Sequence, residues 1–63
     1  MKIAVGLNSK NEVIAAVSFR LDIESLKQDI GDMVISGLNV KVIEAASITI
    51  GKLLSEQEYT EAK

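Results

Sequence analysis

Nine carboxylates are the chemistry-bearing side chains of this chain: Glu12, Asp22, Glu24, Asp29, Asp32, Glu44, Glu56, Glu58 and Glu61. Carboxylates do acid–base work when burial or a like-charged neighbour moves their pKa, and they hold hard cations through oxygen. Asp29 and Asp32 are three residues apart, so a helix makes them neighbours. A solvated acidic helix face accounts for that pair without a metal. His and Cys are both absent, which removes imidazole and thiol catalysis, disulfides and zinc sites. The serines are left without an imidazole base to activate them. Gly6, Gly31, Gly37 and Gly51 stand singly and form no phosphate-cradling loop. The expectation is a non-enzymatic protein with no catalytic residue, no cofactor and no metal.

The same carboxylates suit recognition better than catalysis. An acidic surface docks onto basic patches of other proteins. Glu24, Asp29 and Asp32, with Ile35 among the polar positions of the same segment, make a candidate partner-binding face. A second acidic group, Glu56, Glu58 and Glu61, crowds the far end of the sequence.

The elements that hold these residues follow from periodicity. Ile3, Val5 and Leu7 alternate with Lys2, Ala4 and Gly6, the period of a half-buried strand. Asn8-Ser9-Lys10-Asn11 is a run of turn formers. Val13, Ala15, Val17 and Phe19 then share one face of a second strand, completing a hairpin over residues 1–19. Ile14 and Ala16 make its other face apolar too, which suits a central strand or an interface. Residues 22–36 read as a helix with Asp22 as N-cap and Gly37 closing it. Its core stripe is Ile23, Leu26, Ile30, Met33 and Val34. Over residues 39–54 Ile43, Ala46, Ile50, Leu53 and Leu54 fit helical spacing, but the β-branched Val40, Val42, Ile43, Ile48, Thr49 and Ile50 favour a strand, broken near Ala45-Ala46-Ser47 where the alternation changes phase. Ser55-Glu56-Gln57-Glu58 fits a capping box and predicts a short C-terminal helix over 56–62.

Val17-Ser18-Phe19-Arg20-Leu21, followed by a helix ending at Gly37 and a second apolar segment, resembles a ribbon-helix-helix regulator. That resemblance implies a strand shared across a dimer, with Ser18 and Arg20 reading the major groove and Phe19 and Leu21 in the core. The sequence pI of 4.9 lacks the basic footprint that phosphate contact needs, so the charge argues against a nucleic-acid partner.

Composition bounds the remaining possibilities. The chain has 63 residues, 48% apolar, with a net charge of −2 and a mean hydropathy of +0.24, which allows one domain over residues 1–63. The apolar set is almost wholly aliphatic, with Phe19 and Tyr59 the only aromatics. A domain this small buries only about 60% of the surface of its unfolded chain, and oligomerisation is a common remedy. A homo-oligomer is therefore expected. No stretch reaches the roughly 20 apolar residues of a membrane span, and the start of the chain is a poor secretory signal. A cytoplasmic location with no membrane partner is expected.

The fold class expected is α+β: a single-layer sheet from an N-terminal β-hairpin, one packed helix, a further long or broken strand and a short C-terminal helix, in oligomeric form. The function expected is that of a small homo-oligomeric interaction protein that binds and modulates or inhibits another protein. In type it resembles the small accessory proteins of phages and mobile elements. A ligand-sequestering oligomer is the alternative, with sites at subunit junctions near Lys2, Lys10, Arg20 or Lys41.

Overall fold

Every residue from Ile3 to Leu7 is apolar or glycine, and in the strand Lys2–Leu7 (β1) all five are buried. A strand buried at consecutive positions must be covered on both faces and lined on both edges. The computed structural model, which describes residues 1–20 and 22–62, supplies all of these. Val13–Ser18 (β2) and Asn39–Glu44 (β3) pair antiparallel with β1 on either side. The two-residue Thr60–Glu61 (β4) lies outside β3, giving the order β2-β1-β3-β4. The described residues thus form a small α+β domain with a four-stranded antiparallel sheet, one helix and one 3-10 turn.

The first hairpin forms as its sequence predicts. The Asn8 carboxamide closes the turn by accepting from the Lys10 and Glu12 amides at 3.0 and 2.9 Å, while Asn11 adopts a φ of 63°. One irregularity then decides how β2 is used. Gly6 pairs with Ala15 and Leu7 with Val13, so Ile14 is an extra residue and the strand bulges there. The bulge reverses the alternation. Val13 joins Ile3, Val5 and Leu7 on one side of the sheet, whereas Val17 and Ala15 join Ala4 on the other.

Ile23–Ile35 (α1) covers the Ala4 side. The Asp22 carboxylate accepts from the Ser25 amide at 2.9 Å, as an N-cap should. At the other end Leu38 N–H donates to Met33 O and Gly37 N–H to Val34 O, the pairing that ends a helix on a left-handed glycine. Gly37 has φ +82°. This ending sets Leu38 beside Met33, and both press on β1 at Gly6. A Cβ built on Gly6 falls 2.7 Å from Met33 Sδ and 2.9 Å from Leu38 Cδ1.

The helix stripe is narrower than its sequence suggests. Met33 is buried and Leu26 and Ile30 pack against it, but Ile23 and Val34 are 67% and 59% exposed. Three short strands offer a narrow floor, and side chains on the flank of the helix overhang it.

The opposite side of the sheet is covered by irregular chain. Residues 45–59 run beneath β1 and β3, placing Ala45, Ile48, Leu54 and Tyr59 against Ile3, Val5, Leu7, Val13 and Ile43. Backbone bonds tie this segment to the start of β2: Val13 N–H donates to Lys52 O (2.9 Å), Gly51 N–H to Val13 O (2.7 Å) and Leu54 N–H to Asn11 O (3.0 Å). The Gln57 side chain closes it internally, accepting from Thr49 N–H at 2.6 Å and donating to Thr49 O at 3.0 Å.

Two expectations fail here. The strand expected over residues 39–54 does break near residues 45–47, ending at Glu44, but it does not resume beyond the break. Beyond it, Gly51 at φ +92° turns the chain where an extended strand cannot turn, and Ile50 is left exposed. The C-terminal helix is absent. Ser55 lies inside the 3-10 turn Leu54–Glu56 rather than capping a helix, and Gln57 is already extended. A helix so short is marginal without packing. The extended path instead brings Tyr59 to the core, places Glu61 2.6 Å from Lys41 and lets Ala62 N–H reach Val42 O.

Candidate functional site

The free edge of β2 is the place where sheet, helix and charge meet. Phe19 N–H donates to Lys2 O at 3.1 Å, which fixes the alternation of the antiparallel ladder. Val17 and Ala15 exchange bonds with β1, and the backbone groups of Ala16 and Ser18 point outward. Residues 51–54 occupy the edge only as far as Val13. From Ile14 to Ser18 the edge pairs with no other strand among the described residues. This open stretch carries no Lys, Glu or Pro, the residues that usually protect an edge.

Between that edge and α1 lies a groove of about 460 Å³ lined by Ile14, Ala15, Val17, Asp29, Asp32 and Met33, among others. Its floor is aliphatic. Its rim on the helix side is Asp29 and Asp32, with Ser36 beyond them. Among the described residues no Lys or Arg lines it. The groove exists because the residues beneath α1 are small, so the helix sits low over β1 and its flank runs alongside β2.

The four candidate partner-binding residues do not form one surface. At about 100° per residue, Asp29 and Asp32 lie about 60° apart on the flank facing β2. Glu24 and Ile35 lie about 20° apart and roughly 100° from that pair, on the top of the helix. Ile35 is 86% exposed, and neither it nor Glu24 lines the groove. The structure adds Ile14, Ala15 and Val17, which sequence reasoning left out of the site. The signal available for them was the run Ile14-Ala15-Ala16, apolar on both faces of a strand.

The ribbon-helix-helix resemblance finds no counterpart in the fold. Residues 39–44 form a strand where a second helix is required, and β2 pairs within its own chain. Ser18 Oγ accepts from Arg20 N–H at 3.2 Å, closing the strand end. Leu21 lies outside the described residues.

The lysines named for a ligand site are dispersed. Lys2 Nζ sits 5.2 Å from the Phe19 ring centroid. Lys10 and Lys41 both line a cavity of about 320 Å³ beside Tyr59, but Lys41 is already paired with Glu61, and that hydrogen bond raises its pKa above 10.5. Among the described residues no three acidic side chains converge as metal ligands. Among the described residues no helix is long and apolar enough to cross a membrane. Compared with protein-family models, with curated proteins and with solved structures, the chain matches none of the three.

Proposed function

We propose that this chain is a non-enzymatic interaction module that binds another protein and modulates or inhibits it. Its contact surface is the groove between β2 and α1. The observation that supports this reading is the open edge from Ile14 to Ser18 beside an aliphatic floor. An extended segment laid there completes the sheet through backbone bonds at Ala16 and Ser18 and seats alternate side chains in the groove.

A displayed peptide library selected on the protein tests this. Selected peptides are expected to slow amide exchange at Ala16 and Ser18 and to lose binding to Ala16→Pro. Proline is tolerated where the backbone N–H faces out of an edge strand, so this change removes the outward donor. Selected peptides that leave exchange at Ala16 and Ser18 untouched, or a selection that enriches nothing, overturn the reading.

Self-association belongs to the same proposal. Met1, Ile14, Ile23, Val34, Ile35 and Ile50 are all exposed, much aliphatic surface for so short a chain. Light scattering at micromolar concentration is expected to give a mass above 6.8 kDa. A constant mass at that value at every concentration makes the protein a monomer.

A further inference from the structure

The groove has an aliphatic floor and a carboxylate rim, and among the described residues no cation lines it. We infer that its occupant is a cationic extended segment with Lys or Arg at alternate positions, added as a fifth strand along β2. This rests on the strand-addition reading above and goes further by naming the chemistry of the partner. Successive residues of an added strand point to opposite faces of the sheet. Every second side chain therefore enters the groove over Ala15 and Val17, beneath Asp29 and Asp32. A purely aliphatic side chain covers the floor and leaves the carboxylates without a partner. A short polar one reaches neither. Lys and Arg do both, because the methylene stem lies on apolar surface while the charged head reaches out to the rim.

The spacing agrees. Asp29 and Asp32 are about 4.5 Å apart along the helix axis, and alternate residues of a strand are roughly 6.8 Å apart. Two consecutive groove-facing cations thus bracket the pair.

The same geometry argues against a second copy of the chain in this groove. Two antiparallel β2 edges related by a two-fold axis present the same patch to each other, with both helices on one face of the joined sheet. That arrangement brings two Asp29 and two Asp32 to the seam, and no described residue of the groove carries a cation to offset them. Like charges facing one another disfavour such a pairing.

The experiment uses two short acetylated peptides, one alternating lysine with valine and the other alternating glutamate with valine. Binding is measured by calorimetry and by amide exchange. The lysine peptide is expected to bind, to slow exchange at Ala16 and Ser18, and to weaken as salt is raised. Its affinity for an Asp29→Asn/Asp32→Asn variant is expected to drop about three- to tenfold, as for two exposed ion pairs. The glutamate peptide is expected not to bind.

Equal binding of both peptides, or undiminished binding by the double Asn variant, overturns the cationic assignment and leaves strand addition standing. Lysine-peptide binding that is salt-sensitive but leaves Ala16 and Ser18 exchange unchanged overturns strand addition itself. A wild-type dimer that protects Ala16 and Ser18 without any peptide makes a second copy the occupant. No binding of the lysine peptide, with library peptides of no net positive charge bound at β2, also rejects the cation. The exchange measurement on the unmodified protein keeps these outcomes readable if Ala16→Pro does not fold.

Discussion

The sheet surface under α1 is built from Ala4, Ala15 and Val17 with Gly6 between them and Phe19 and Val40 flanking them, whereas the surface under residues 45–59 is built from Ile3, Val5, Leu7, Val13 and Ile43. The helical side is regular above and small below at its centre. The irregular side is bulky below and depends on named polar ties above. A helix presents a fixed ridge of side chains, so the strands beneath must shrink to let it approach. A loop has no such ridge and follows whatever large residues the strands offer. The groove lies on the helical side, where a straight rod leaves a gap along the strand edge.

The sharpest way to break this contrast is to empty the bulky side. Ile43 is fully buried, and Ile43→Ala is expected to cost about 2–5 kcal/mol, enough to unfold a domain this small. Leu26→Ala, at a half-buried helix position, is expected to cost less than half as much. Urea unfolding of the two variants checks the order, and equal losses would mean that the two sides carry the fold alike.

Next is the small side. Gly6→Ala is expected to cost about 1–3 kcal/mol, since its new methyl meets Met33 Sδ and Leu38 Cδ1. Those atoms are the far ends of flexible side chains, so Leu38→Ala in the same chain should recover part of the loss. A thermal double-mutant cycle that shows no coupling between positions 6 and 38 removes the close approach from the account.

Gln57→Ala tests whether the irregular cover depends on its ties. Losing the paired bonds to Thr49 is expected to cost about 1 kcal/mol. Amide exchange should rise in residues 45–59 and stay constant in α1. A uniform rise throughout the molecule would count against separate covers.

The smallest effects come from pH, and they separate the two sides by sign. Asp22 titrates below its ordinary 3.8, chiefly because it accepts the Ser25 amide. A folded-state pKa below the unfolded one gives stability that is present above 3.8 and lost as pH falls through the lowered value. Lys41 is raised above 10.5 by its bond to Glu61, so its contribution is present below 10.5 and lost as pH rises beyond it. Melting temperature against pH is expected to lose a small acid step in Asp22→Ala and a small alkaline step in Lys41→Met. Profiles that overlay the parent at both ends would show that neither bond matters to folding.

What could be read ahead of the structure was whatever a few neighbouring residues decide. Asn8 to Asn11 turn the chain, Asp22 caps the helix and Gly37 ends it, because each acts on backbone groups within five positions. The groove was half legible: Asp29 and Asp32 stand out as a helical pair, and helical spacing alone sets them apart from Glu24 and Ile35, but which flank meets β2 depends on how α1 is rolled on the sheet. The bulge at Ile14 was hidden, since it exists only relative to β1. Residues 45–62 were misread for the same reason. The capping signal of Ser55 and Glu58 is local, while the pull of Tyr59 and Glu61 towards the sheet is tertiary and prevails.

The path of residues 45–59 also bears on how the protein is made. Translation proceeds from the amino end, so β1, β2, α1 and β3 emerge before the segment that shields Ile3, Val5, Leu7 and Ile43. Until that segment leaves the ribosome, those side chains have nothing to pack against and the earlier elements lack the contacts that hold the sheet. For that interval the chain exposes its most aliphatic residues to its neighbours on the same message, and slow delivery of residues 45–59 prolongs the hazard.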